Sequence, residues 1–231
     1  MNRNITKKRI LSFAEIKAIK PSENNEAIVG LKVFAPKIIA YHKNEDMRQY
    51  TGDQILVRQT VAQKLANLSE TLPKNLILKV VFGYRHPDLQ KRYFETERHK
   101  IKQVNPSFSN RKLDSLTHNL IAVPSVAGHP TGGAIDITIL RNNEPLDMGT
   151  DLIDFSKPEL IPTFSDQISE AQLANRLSLH DLMLSVNFAP FYGEWWHFSY
   201  GDREWAAFYS QPSSLYSPIS INLATQTIQT K

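Results

Sequence analysis

The stretch Gly128-His129-Pro130-Thr131-Gly132-Gly133-Ala134-Ile135-Asp136, running on as Ile137-Thr138-Ile139-Leu140, decides the fold. Gly132-Gly133 permits a tight turn into residues 134–140. Those residues alternate as a strand does: Ile135, Ile137 and Ile139 share one face, and Ala134, Asp136 and Thr138 share the other. His129 precedes a proline, which biases its backbone toward an extended conformation. Asp136 sits among isoleucines, where an unpaired carboxylate is costly to bury, so it needs a cation or several hydrogen bonds. A metal ion meets that need. Taken alone, the stretch fits equally well an aspartate that caps the glycine turn beside an unrelated histidine.

Working outward, residues 76–82 (LILKVVF) are apolar and β-branched and read as a buried strand. Gly83-Tyr84-Arg85-His86-Pro87 breaks it, and residues 87–102 read as a helix with proline at its first position. Val57, Val61, Leu65 and Leu68 form one stripe and predict a helix over 55–69. Residues 141–168 are rich in Asn, Asp, Pro and Gly and suggest a long surface loop. Ser169 and Gln172 have capping-box spacing, and Leu173, Leu177 and Leu184 continue an apolar helix face behind them. Residues 195–200 (WWHFSY) read as a further strand.

The expected class is therefore α+β: one domain over residues 1–210, with a mostly antiparallel sheet packed by helices and its motifs within 75–205. No glycine-rich βα turn points to a nucleotide fold. Residues 211–231 turn polar and read as a loosely packed C-terminal tail. Composition agrees with a globular protein: 231 residues, 41% hydrophobic and 22% charged. The net charge of +4 is modest, and the Lys7-Lys8-Arg9 cluster reads as solvated, so no nucleic-acid partner is expected. No stretch approaches the length of a membrane span, and no apolar run follows the basic N-terminus. The expectation is a protein with no membrane partner, cytoplasmic by default.

The chain has no cysteine, which excludes disulfides, thiolate metal sites and cysteine nucleophiles. Any metal must be held by His and carboxylate. Besides His129 and Asp136, the segment Glu194-Trp195-Trp196-His197 offers a ligand and a base. In a straight strand Glu194 and His197 point to opposite faces, so their convergence requires a bend at Gly193-Glu194. Otherwise this is an aromatic core strand with an edge histidine and a surface glutamate. His129, Asp136 and His197 together form a three-ligand set with an open position, the layout of catalytic zinc. Glu194 is then the residue that takes a proton from water, and Arg85, at the end of a buried strand, offers a fixed positive charge to an oxyanion. Without the other motifs Arg85 would also fit a salt bridge flanking a helix. His42, His86, His99, His118 and His180 lack a partner at metal spacing and read as surface or core residues.

Taken in order, Gly83-Tyr84-Arg85, then His129, Gly132, Ala134 and Asp136, then Glu194 with His197 resemble the VanX-type D-alanyl-D-alanine dipeptidases of the M15 peptidases. Asp147-Met148-Gly149-Thr150, with Asp154-Phe155 further on, is similar to a loop motif of that family. The resemblance implies a Hedgehog/DD-peptidase-like fold, one zinc ion on His129, Asp136 and His197, Glu194 as general base and Arg85 as transition-state stabiliser. It also implies a small D-amino-acid dipeptide or a peptidoglycan-derived peptide as partner, with Asp154 and Tyr84 as substrate contacts. Two positions depart from the pattern. Ala127 stands where the family has Ser, and Ile153 stands where it has the Asp that meets the substrate ammonium. The amino end of the substrate is therefore expected to be read less strictly. Alternatives are an M15 carboxypeptidase acting on peptidoglycan peptides and a non-catalytic Hedgehog-like zinc-binding module. An Fe(II) oxygenase also uses two His and one carboxylate, but its HxD spacing is absent.

Overall fold

The computed structural model describes residues 9–43 and 45–222, and the backbone of 227–230. Lys7 and Lys8 of the basic cluster lie outside the described residues, as do 223–226 and 231. In chain order the elements begin with α1 (Phe13–Ala18), β1 (Ile28–Gly30), α2 (Leu31–Phe34), β2 (Ile39–Ala40), α3 (Arg48–Thr51), β3 (Leu56–Arg58), α4 (Gln59–Thr71) and β4 (Leu76–Phe82). They continue with α5 (Pro87–Val104), α6 (Asn110–His118), β5 (Ala134–Arg141), β6 (Glu144–Pro145), α7 (Glu170–Ser185), β7 (Ala189–Pro190) and β8 (His197–Ser199). The chain closes with α8 (Arg203–Phe208), β9 (Ile219–Asn222) and β10 (Thr227–Thr230).

The central sheet runs β2-β4-β5-β8-β7, with β6 paired to β5. β2 is parallel to β4 and the other pairings are antiparallel. This is the expected α+β class with a mostly antiparallel sheet. The alternation read in β5 divides its environments. Ile135, Ile137 and Ile139 pack with Leu78 and Val80 of β4 against Val61, Leu65 and Leu68 of α4 and Leu179 and Met183 of α7. Asp136 turns to the other face, where β4 and β8 flank it in register: Asp136 lies opposite Phe82 on one side and His197 on the other. A bulge between Val80 and Phe82 sets the first pairing. It carries Phe82 off the helix-packed face and into the face that bears Asp136.

Several expectations change. The helix over 55–69 starts only at Gln59; Leu56–Arg58 is a strand paired with β1, and Arg58 is extended at the helix cap. Val57 is buried within that strand, so its apolar spacing fitted the helical stripe without belonging to it. The final strand is short, beginning at His197 rather than 195. The capping box of Ser169 and Gln172 is present. Leu184 is buried as expected, but the buried face of α7 also takes in Arg176, Leu179, His180 and Met183, and Leu173 and Leu177 are only half-buried beside it.

The stretch 141–168 is not a surface loop throughout, because Met148, Leu152 and Ile161 are buried. The cause is Arg176, 1% exposed, whose guanidinium donates to the carbonyls of Met148 (2.7 Å), Leu160 (2.7 Å) and Pro162 (2.6 Å). Nor is the polar C-terminal stretch loosely packed as far as residue 221. Tyr216, Ile219 and Ile221 are buried, and β9 pairs with β10. The hydroxyl of Tyr84 donates to the Ile219 carbonyl (3.0 Å) and accepts from the Ile221 amide (2.9 Å), tying this segment to the end of β4.

Arg176→Met keeps the length of the side chain and leaves three buried carbonyls without their donor. Hydrogen bonds to a charged group contribute about 1.5–3 kcal/mol each. The variant is expected to lose at least ~3 kcal/mol in urea denaturation and to become sensitive to limited proteolysis within 148–162. An unchanged midpoint with an unchanged digestion pattern would mean that the arginine does not organise this loop.

Candidate metal and catalytic site

The register of β5 and β8 does the first part of the assembly. Side chains directly opposite on antiparallel strands stand about 5 Å apart, and here the Asp136 Oδ1 to His197 Nδ1 distance is 3.0 Å. His129 arrives from the turn that precedes β5. Contrary to the extended conformation expected before a proline, His129 opens a short 3-10 turn, His129–Thr131, with Pro130 within it. Gly132 closes the turn at φ +74°, a left-handed conformation that suits glycine. Arg58 clamps the outside of this turn. Its amide donates to the Gly132 carbonyl (2.9 Å) and its Nε to the Thr131 carbonyl (2.7 Å), while Glu23 holds the guanidinium from the far side.

The end of β4 fixes the imidazole of His129. Nδ1 lies 2.7 Å from the Gly83 carbonyl, which can only accept, so Nδ1 carries the proton and Nε2 presents a lone pair. A side chain at Gly83 would collide with the Leu56 carbonyl, since its Cβ would fall 2.6 Å from that oxygen. His129 Nε2 stands 3.4 Å from Asp136 Oδ1. Burial lowers the His129 pKa to about 4, so this imidazole is neutral near pH 7. A lone pair and a carboxylate oxygen then face each other with no proton between them, an arrangement that calls for a cation. At the other ligand burial acts to lower the pKa, but the hydrogen bond and charge of Asp136 overcome it and raise His197 to about 9. Burial likewise acts to raise Asp136, and the opposing pull of His129 and His197 leaves it below the usual carboxylate range.

His129, Asp136 and His197 each offer one ligand atom, all within 4.8 Å of one another. A zinc ion with bonds of about 2.0–2.1 Å in tetrahedral geometry separates its ligand atoms by roughly 3.3 Å. The two distances to Asp136, 3.0 and 3.4 Å, bracket that value, and the two histidine nitrogens lie within 4.8 Å of each other. The donor set of two nitrogens and one oxygen suits zinc as well. The residues present therefore fit the ion that the sequence led one to expect.

These three side chains form part of the wall of a cavity of about 310 Å³, which Arg85 and Glu194 also line. Glu194 and His197 converge because the backbone bends as anticipated. Phe191 N donates to the His197 carbonyl (3.0 Å), Glu194 N to the Phe191 carbonyl (3.1 Å) and His197 N to the Glu194 carbonyl (3.3 Å). Burial, reinforced by the charge of Asp136, raises the Glu194 pKa to about 7 against the pull of His197 and Arg85. The Arg85 guanidinium lies over the rings of Phe82 (4.5 Å) and Tyr93 (5.3 Å), and Nη1 donates to Gln90 Oε1 (2.9 Å). Its buried Nε has no hydrogen-bond partner among the described residues.

Two residues expected to touch substrate stand elsewhere. Tyr84 is absent from the cavity wall, because both hydrogen-bonding directions of its hydroxyl are taken up by β9. Asp154 is also absent from it; its Oδ1 accepts from the Ser156 amide (2.9 Å), and the neighbours Ile153 and Phe155 line the cavity instead. Conversely, Gln90 and Tyr93 of α5, Ile16 of α1 and Glu204 of α8 line the cavity and were not singled out from the sequence. Gln90 and Tyr93 carried the period of a helix whose buried side was legible, but which face met a site was not. Glu204, in the first turn of a helix, reads as an ordinary solvated acid.

The family model Peptidase_M15, described as D-ala-D-ala dipeptidase, matches residues 39–215 of the chain. A D-alanyl-D-alanine dipeptidase of Synechocystis sp. is 36% identical over an alignment covering 36% of this chain and 38% of that protein's length. Solved structures that resemble it more distantly include the LdcB LD-carboxypeptidase, at 19% identity over 82% of this chain and 77% of that one, with a TM-score of 0.46. The D,D-pentapeptidase VanY, in complex with Zn(II), is 15% identical over 77% of this chain and 88% of its own, with a TM-score of 0.41. The D,D-dipeptidase VanXYg, bound to a D-Ala-D-Ala phosphinate analog, is 18% identical over 76% and 67%, with a TM-score of 0.36.

Replacing His129, Asp136 or His197 by Ala removes one of three donors. Each variant, purified without chelator, is expected to hold less than half the zinc of the parent protein by elemental analysis. Parent-level zinc in all three would displace the ion from this site.

Proposed function

The chain belongs to the M15 peptidases, the D-Ala-D-Ala dipeptidase family, and from that premise we propose that it is a zinc-dependent peptidase that hydrolyses a small D-amino-acid dipeptide, D-Ala-D-Ala first. The observation that supports this most is the convergence of five groups on one cavity: His129, Asp136, His197, Glu194 and Arg85. A non-catalytic zinc-binding module has no use for the last two.

Zinc held by the two histidines and Asp136 would polarise a carbonyl and lower the pKa of a bound water toward about 7. The remaining work falls to the chain's own side chains. Glu194, with a carboxyl group poised near neutrality, accepts a proton from the attacking water and returns it to the leaving amine. It is not one of the three ligand residues, so its oxygens remain available for that transfer. Arg85 is held by ring contacts on Phe82 and Tyr93 and by Gln90, so its charge is in place before the reaction begins. An oxyanion forming at the attacked carbonyl would meet that fixed positive charge in the cavity wall.

The deciding experiment is release of D-Ala from D-Ala-D-Ala by the zinc-loaded protein, and no release would refute the assignment. Glu194→Gln preserves size and removes the base. It is expected to stay folded and keep its zinc while kcat falls by at least ~10²-fold. Loss of zinc together with turnover would make Glu194 a ligand. Arg85→Ala is expected to keep zinc and lose about 10²–10³ in kcat, the magnitude of one preorganised oxyanion donor. A near-parental rate would reduce Arg85 to a packing role.

A further inference from the structure

Three carboxylates line the cavity: Asp136, Glu194 and Glu204. Asp136 is engaged by His129 and His197, and Glu194 is the proton acceptor of the proposed reaction. Glu204 is left over. Among the described residues its carboxylate has neither a hydrogen-bond nor an ion-pair partner. An unpaired carboxylate in a cavity wall carries a desolvation cost that a cation arriving with a ligand would offset.

The placement of Glu204 is fixed by its neighbours. The indole of Trp205 donates to the Asn187 carbonyl (3.0 Å), and the Tyr209 hydroxyl donates to the Phe188 carbonyl (3.0 Å). Ala206 is buried, and Ala207 packs on the cluster of Leu11, Ile16 and Val126. These ties orient α8 so that Glu204, and not its neighbours on the same helix, enters the cavity wall. The wall near the 150s loop offers no competing anion, because Ile153 and Phe155 face the cavity there. Burial, reinforced by Asp202 and Glu194, raises the Glu204 pKa to about 8, so this acid holds its charge near neutral pH only with a cation beside it. A cavity lined by a guanidinium at Arg85 and by an unpartnered acid at Glu204 suits a substrate that is itself a zwitterion, whose ammonium would draw the acid into its charged form.

We propose that Glu204 is the specificity-determining carboxylate that receives the free α-ammonium of the peptide substrate. The inference rests on the peptidase reading above and adds the residue that reads the amino end. It also reverses the expectation drawn from Ile153: the anchor is supplied from α8, and the amino end is read strictly.

The test compares D-Ala-D-Ala with N-acetyl-D-Ala-D-Ala on the zinc-loaded parent protein and on Glu204→Gln. The parent is expected to prefer the free dipeptide by at least ~10-fold in kcat/KM, the size of one hydrogen bond between charged groups. In Glu204→Gln that ratio is expected to collapse toward 1 through a higher KM for the free dipeptide, with zinc content and the rate on the acetylated peptide retained. An equal fall on both peptides would make Glu204 structural, and an unchanged ratio would place the anchor elsewhere; either overturns the proposal. Calorimetric binding of the two peptides to zinc-loaded Glu194→Gln, with and without Glu204→Gln, separates recognition from turnover. Preference for the free dipeptide that disappears in the double variant sustains the anchor even if the parent releases no D-Ala, an outcome that would fail the activity reading alone. Equal affinity for both peptides, or binding of neither, in zinc-loaded Glu194→Gln overturns the anchor even where hydrolysis succeeds.

Discussion

Asp136 is a carboxylate in the middle of a buried strand, 3% exposed, with isoleucines on both sides in sequence. The rest of the site exists because that carboxylate must be satisfied. No lysine or arginine pairs with it among the described residues. Its partners are two imidazoles, one of which presents a lone pair and not a proton. Such a grouping is poor as an ion pair and good as a set of three metal donors. The electrostatic constraint that makes Asp136 expensive is thus the one that a metal ion in this candidate site would relieve.

Keeping the imidazoles in place takes support from distant parts of the chain. The turn bearing His129 is gripped by Arg58, Arg58 is gripped by Glu23, and the amide of Arg85 donates to the His129 carbonyl (3.2 Å) while Gly83 accepts from its ring. Glu23 lies in the N-terminal region whose role could not be read from sequence. It turns out to buttress the site, and Ile16 from the same region forms part of the cavity wall. On the opposite side, Trp195 donates through Nε1 to Thr150 Oγ1 (2.8 Å), which fastens the segment carrying Glu194 and His197 to the loop that Arg176 organises. Imidazoles held in place by hydrogen bonds from the surrounding segments have fewer rotamers that would compete with metal binding.

Legibility in the sequence depends on the range of the interactions involved. β4, β5 and the caps of α5 and α7 were legible because each is a local pattern: period two, proline at the first helical position, Ser169 with Gln172. The candidate ligand set could be named from the sequence because residue type limits chemistry, and a chain without cysteine leaves few ways to hold zinc. Long-range satisfaction was not legible. Arg176 donates to three backbone carbonyls, which have no side-chain identity to betray them, so residues 148–162 read as surface. Tyr84 sits in the motif but spends its hydroxyl on β9, and Asp154 sits in a motif-like loop but faces Ser156. Motif membership marks the neighbourhood of a site and not the direction of a side chain. Glu204 illustrates the reverse: no motif includes it, and only the packing of α8 turns it inward.

The substrate-facing side of the cavity depends on one irregularity in β4. A regular ladder would continue the Val80–Ile137 pairing by setting Val81 against Asp136. The bulge inserts a residue and sets Phe82 there instead. Phe82 then meets His129 edge-on, with ring centroids 5.2 Å apart, and offers its own face to the Arg85 guanidinium at 4.5 Å. The same extra residue brings the Gly83 carbonyl beneath His129 Nδ1. One backbone defect therefore sets the tautomer of a ligand and the position of the cation that faces it. A lysine in place of Arg85 would lose the planar stacking on Phe82 and Tyr93 and the fork that reaches Gln90. The bulge and the arginine are thus coupled in geometry, because the ring that the bulge turns inward is the one the guanidinium packs on.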